Sequence, residues 1–85
     1  MTLRIPSGLG VDVVGDTVYV APLPDGPIAV LEGIAALIWS EADGRGRDEV
    51  VAALAEATGE QAEAIGQTVQ DFVDDLVARG LLAED

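Results

Sequence analysis

The stretch VDVVGDTVYVA at residues 11–21 decides how the chain begins to fold. Two valine-rich runs, which favour extended backbone, flank the dipeptide Gly15-Asp16. Because glycine tolerates the positive φ needed at the first position, this dipeptide suits a two-residue turn between antiparallel strands. The sequence therefore predicts a β-hairpin in which Val14 lies opposite Thr17.

The register of this hairpin assigns its side chains to two faces, because successive residues of a strand point to opposite sides. The other valines then share one face in cross-strand pairs: Val11 with Val20, and Val13 with Val18. The alternate face carries Asp12 opposite Tyr19. We expect the face with the four valines to enter the core and the face with Asp12 and Tyr19 to meet solvent.

A third strand is predicted at residues 28–31, after a turn rich in proline. The preceding segment PLPDGP at residues 22–27 excludes helix and regular ladder pairing, because its prolines have no N–H. Since Pro27 directly precedes the strand, we expect that strand at the edge of the sheet. A free edge exposes unpaired main-chain N–H and C=O groups.

Up to about residue 31, apolar residues recur at every second position, as in a strand. From about residue 32 they recur at intervals of three and four residues, as in a helix. Three helices are predicted, the first from about residue 32, the second over about residues 47–57 and the third over about residues 60–79. Trp39 is expected in the core. Gly80 is a natural helix stop, with Leu81 and Leu82 folding back onto the third helix. Strands followed by helices indicate an α+β domain covering residues 1–85.

Histidine and cysteine are both absent from the 85 residues. Their absence removes the commonest general base, the commonest metal ligands and any disulfide. The sequence therefore predicts a protein without catalytic residues, bound metal or cofactor. The only serines, Ser7 and Ser40, also lack the context of a carrier-protein attachment site.

The chain is strongly acidic, with four arginines, no lysine and a formal net charge of −12. This charge opposes binding to nucleic acid and to anionic membranes, and it favours basic partners. The alternative is that it serves solubility only. No apolar segment has the length of a membrane helix or a signal peptide, so we expect a soluble, cytoplasmic protein.

Three stretches together carry a resemblance to a known family: AVLEGIAALIW at residues 29–39, DEVVAAL at residues 48–54 and FVDDLVARGLL at residues 72–82. They resemble the PqqD-like family, the RiPP recognition elements of lasso-peptide and other precursor-peptide pathways. Glu32 and Ile34 stand where family members often carry Asn and Ser or Thr. The resemblance implies a winged-helix-like domain, with a three-stranded antiparallel sheet followed by three helices.

The resemblance also implies that a leader peptide adds to the sheet as a fourth strand, in a groove between the third strand and the third helix. A free strand edge beside an apolar helix row favours this mode of binding independently. The residues predicted to bind the peptide are Ile28, Ala29, Val30, Leu31, Val69, Val73, Asp74 and Val77. A basic partner is expected near the third helix, where Asp71 and Asp75 accompany Asp74.

Two functions remain open from the sequence. In the first, the domain presents the leader of a precursor peptide to a modifying enzyme or leader protease of the same pathway. In the second, it is a PqqD-like scaffold, or a subunit of a larger enzyme, that binds a protein partner rather than a leader.

Overall fold

The computed structural model describes residues 1–85 and consists of five strands and three helices. In chain order they are β1 (Leu3–Arg4), β2 (Leu9–Val14), β3 (Thr17–Pro22), β4 (Ala29–Glu32), α1 (Ile34–Ala42), α2 (Arg47–Thr58), α3 (Ala62–Ala78) and β5 (Ala83–Glu84). The main sheet has three antiparallel strands in the order β2-β3-β4 and precedes the three helices. The predicted α+β fold is confirmed.

The predicted hairpin register is also confirmed, because Val14 pairs with Thr17 and the other residues of β2 pair with β3 in the same register. The third strand, β4, pairs with β3 and runs one residue later than predicted, because Glu32 still pairs with Thr17. Gly33 then takes a positive φ of 59°, which turns the chain from β4 into α1. Both β2 and β4 are edges of the sheet.

The core lies between the helices and the inner face of β3 and β4. Val18 and Val20 on β3 are buried there, together with Ala29 and Leu31 on β4. Trp39 on α1 is also buried, and its indole Nε1 donates a hydrogen bond of 2.9 Å to the carbonyl of Leu81. This bond satisfies the one polar atom of the buried ring.

The inner face of β2 packs against this core only at Leu9, at the start of the strand, which corrects one expectation. Val11 and Val13 share a face with buried Val20 and Val18, yet 46% and 61% of their surfaces are exposed. The helices bury the inner face of β3 and β4 and leave the Val11–Val13 part of β2 exposed.

The C-terminal segment closes the fold as expected, and it adds a ribbon that the sequence did not predict. Gly80 has a φ of 76°, and Leu81 and Leu82 fold back into the core. The next residues form β5, which pairs antiparallel with β1 at the other end of the chain. No helix has the length and apolar character needed to cross a membrane.

Candidate functional site

The exposed edge of β4 presents main-chain hydrogen-bonding groups to solvent. In a two-residue hairpin the pair that closes the turn, here Val14 and Thr17, is hydrogen-bonded. Main-chain groups alternate in direction along a strand, so Val18 and Val20 of β3 bond to β4. By the same alternation, the N–H and C=O of Val30 point away from β3, towards the free edge.

The side chains of the predicted strand residues divide between the core and the surface. Ala29 and Leu31 are buried and contribute to the inner face of the sheet. Val30 is 48% exposed on the outer face, and Ile28 is more exposed still, just before the strand begins. Within this segment, therefore, Val30 offers both its main chain and its side chain to a partner.

The side chains on α3 are arranged differently from the prediction. Val69 and Val73, expected to line an open groove, are completely buried in the core together with Leu76. Phe72, by contrast, is only partly buried. The reason is the rotation of α3 about its axis. This rotation directs Val69 and Val73 into the core and leaves Phe72 at the boundary between core and solvent.

The flank of α3 that carries Phe72 faces the β4 side of the molecule. Arg79 follows Phe72 by seven residues, so after two turns it lies on the same side of the helix. Arg79 lines a depression of about 310 Å³ together with Ile28 and Ala29 at the start of β4. A second depression of about 310 Å³ lies along the same flank, between Phe72 and the side chains Thr68, Asp71 and Asp75.

The opposite flank of α3 faces α2 and the terminal ribbon. Arg47, the first residue of α2, donates hydrogen bonds to Asp74 (2.6 Å), to Gln70 (3.0 Å) and to Glu84 of β5 (2.8 and 3.0 Å). Val77 follows Asp74 by three residues and so lies on this flank too. Asp74 and Val77 are therefore separated from the β4 edge, contrary to the prediction.

The three aspartates of α3 also have separate partners. Asp74 pairs with Arg47, Asp75 pairs with Arg79 at 3.4 Å, and Asp71 accepts a hydrogen bond of 2.9 Å from Gln67. They do not converge on one site. Only Asp71 and Asp75 remain on the Phe72 flank to attract a basic partner.

Arg47 also shifts the pKa of Glu84 in β5. Its hydrogen bonds lower the pKa of the Glu84 carboxyl, and the two carboxylates hold the pKa of the guanidinium above its usual range. The sequence predicted Arg47 only as the approximate start of the second helix, and no local pattern indicated this role. Its partners lie 27 and 37 residues away along the chain.

We give the name β4–α3 groove to the region between the free edge of β4, which carries Val30 and is preceded by Ile28, and the Phe72 flank of α3. Arg79 shares a depression with Ile28 at one end of this region. Thr68, Phe72 and Asp75 line the other depression, farther along the helix. The groove combines three features that suit an extended peptide. The edge supplies main-chain hydrogen bonds, Phe72 supplies apolar surface, and Asp75 with Arg79 supplies charges of both signs. The groove contains neither histidine nor cysteine.

Comparison with known proteins places the chain in a family. The family description of coenzyme PQQ synthesis protein D (PqqD) matches residues 20–82. The chain belongs to the PqqD family. The match begins within β3 and includes β4 and all three helices, and therefore both sides of the groove.

This PqqD-family chain also has the fold of a solved structure, TbiB1 in complex with the TbiA(beta) leader peptide. The two superpose with a TM-score of 0.81 at 22% sequence identity, over 96% of this chain and 99% of the TbiB1 chain. A search of curated proteins gave no significant match. The likeness to TbiB1 concerns the fold, which a chain can share while binding a different ligand.

Proposed function

We propose that this PqqD-family chain binds the leader of a ribosomally made precursor peptide and presents it to a modifying enzyme or leader protease. It catalyses no step itself. The observation that carries the proposal is the free edge of β4, whose start shares a depression with Arg79 on the flank of α3 that also carries the partly exposed Phe72. The solved complex of TbiB1 with a leader peptide supports a peptide as the ligand of this fold.

The peptide would bind as a fourth strand next to β4. Its main chain would form hydrogen bonds with Val30, whose N–H and C=O point to the free edge. Its side chains would alternate in direction, so that every second one enters the β4–α3 groove towards Phe72. Main-chain pairing supplies affinity that depends little on sequence, and the groove supplies selectivity.

The corrected rotation of α3 changes which residues select the peptide. Phe72 replaces Val69 and Val73 as the apolar contact, and Asp75 replaces Asp74 as the nearest carboxylate. Ile28 and Arg79 close the end of the groove at the start of β4. A strand of about ten residues should bind with a Kd of roughly 1 μM, about −8 kcal/mol, since ordering a disordered peptide offsets part of the gain.

Amide chemical-shift mapping during titration with the cognate leader tests the proposal. We expect the largest shifts in β4 and along the Phe72 flank of α3, with new contacts between the peptide amides and Val30. The flank with Asp74 and Val77 is the internal control and should change little. Shifts confined to the β2–β3 hairpin would contradict the proposed site, and no shifts with any leader would favour a scaffold that binds a protein partner.

A further inference from the structure

The outer face of the three-stranded sheet is apolar at its centre and acidic at its margin. We call this face the outer patch, and its exposed side chains are Val14, Tyr19, Val30 and Ile28. Asp12 on β2 and Glu32 on β4 lie on the same face at its two edges and are also exposed. Neither arginine nor lysine occurs between Arg4 and Arg45, so the sheet carries acidic side chains without cations.

A shallow depression of about 490 Å³ lies within the outer patch. Gly10 and Ala21, which are cross-strand partners, give it a floor of small residues. Tyr19 and Ile28 line it, and Asp12 lies directly opposite Tyr19 in the sheet. An aromatic side chain beside a carboxylate suits the long side chain of arginine or lysine, whose stem packs on the ring while its charge meets the carboxylate.

We infer that the outer patch docks the protein that acts on the bound peptide, and that this protein inserts an arginine or lysine between Tyr19 and Asp12. The identity of the partner as the modifying enzyme or leader protease rests on the proposed function. The chemistry of the partner's surface follows from the patch itself. An apolar centre with an acidic margin is complementary to an apolar surface with basic residues around it.

The position of the outer patch supports this choice of partner. Val30 belongs to both sites, because its main chain forms the edge of the β4–α3 groove and its side chain lies on the outer face. A peptide added next to β4 would extend this face by one strand, so a protein docked there would contact the sheet beside the peptide. A second copy of the chain fits poorly, because each copy carries a net charge of −12 and the acidic side chains of the two copies would repel each other.

Two variants on neighbouring positions of β2 test the docking surface. Val14→Glu adds a charge to the outer patch, and Val13→Glu adds the same charge to the opposite face. The two valines are matched in exposure, at 60% and 61%, so both variants should fold. A second pair removes one carboxylate each: Asp12→Asn inside the depression, and the control Asp16→Asn in the turn, where the side chain lines a depression on the opposite face.

The probes are a purified modifying enzyme and a purified leader protease that act on the cognate precursor, titrated by calorimetry against the full chain. We expect Val14→Glu to weaken binding of one of them about 10-fold or more, as for an interface hot spot, and Val13→Glu to change it by less than about 2-fold. Asp12→Asn should weaken it about 5-fold and Asp16→Asn should not. Affinity for the leader peptide should stay unchanged in all four variants.

Equal effects of Val14→Glu and Val13→Glu would overturn the inference, and so would failure of both enzymes to bind the unaltered chain. Self-association of the chain that Val14→Glu abolishes would assign the patch to a second copy and overturn it as well. If the leader fails to bind but an enzyme docks in a Val14-dependent way, the proposed function fails and the docking surface stands.

Discussion

Phe72 and Val73 are neighbours on α3 that differ in exposure. Phe72 lies partly exposed in the β4–α3 groove, whereas Val73 is completely buried. We expect Phe72→Ala to weaken leader binding about 10-fold, because an apolar contact at the centre of a small interface contributes more than one at its rim. Isothermal titration with the cognate leader measures the loss.

The matched control is Val77→Ala, which truncates a partly buried side chain on the other flank of the same helix. It should reduce leader affinity by less than about 2-fold, since it does not reach the groove. Equal losses for the two variants would indicate that the peptide binds elsewhere or that both changes act through stability. Thermal unfolding of both proteins separates these explanations.

Val73→Asp should unfold the domain rather than weaken binding selectively. Val73 has no exposed surface, and burial of an unpaired carboxylate costs several kcal/mol, comparable with the roughly 5–15 kcal/mol that stabilises a small domain. A native circular dichroism spectrum and an unchanged Tm for Val73→Asp would contradict the buried position.

At the scale of elements, Arg47 holds three of them together. Its guanidinium joins the start of α2 to α3 through Asp74 and to β5 through Glu84. Arg47→Met should lower Tm by roughly 4–8 °C, the shift expected when a small domain loses about 1 kcal/mol. The control Arg45→Met removes a more exposed pair with Glu41 and should shift Tm by much less.

The contribution of Arg47 should also depend on pH. Its hydrogen bonds lower the pKa of Glu84 in the folded protein below the unfolded value. The stabilisation is therefore fully present above the unfolded pKa of about 4.3, and it disappears as pH falls through the lower folded pKa. The difference in Tm between the unaltered protein and Arg47→Met should narrow from about pH 7 to about pH 3. A constant difference would show that Arg47 acts through packing alone.

For the whole molecule, the net charge of −12 affects the rate of encounter with partners. A uniformly negative field accelerates the approach of a basic peptide or protein, and salt screens that field. We expect the association rate of a basic leader to fall about 10-fold between about 50 mM and about 500 mM NaCl, with little change in dissociation. A leader with its basic residues replaced by glutamine is the control, and salt-independent association of the basic leader would indicate that the acidity serves solubility only.

Much of the fold could be predicted because its signals are local. The Gly15-Asp16 turn and the alternation of valines determined the hairpin register, and the apolar spacing indicated three helices. The ribbon of β1 and β5 was missed because each strand has only two residues, too few for a periodic pattern. Its strands are also at opposite ends of the chain, so only the folded core brings them together.

The sequence by itself determined the order of elements, the pairing within the hairpin and the membership of the family, since each depends on residues close together or on a pattern along the chain. Only the tertiary structure decided which flank of α3 faces the β4 side of the molecule, and therefore which flank we propose for the peptide. Both flanks carry an apolar side chain, Phe72 or Val77, so periodicity cannot distinguish them. The rotation is set by packing of Val69 and Val73 in the core and by Arg47, whose partner Glu84 lies 37 residues away.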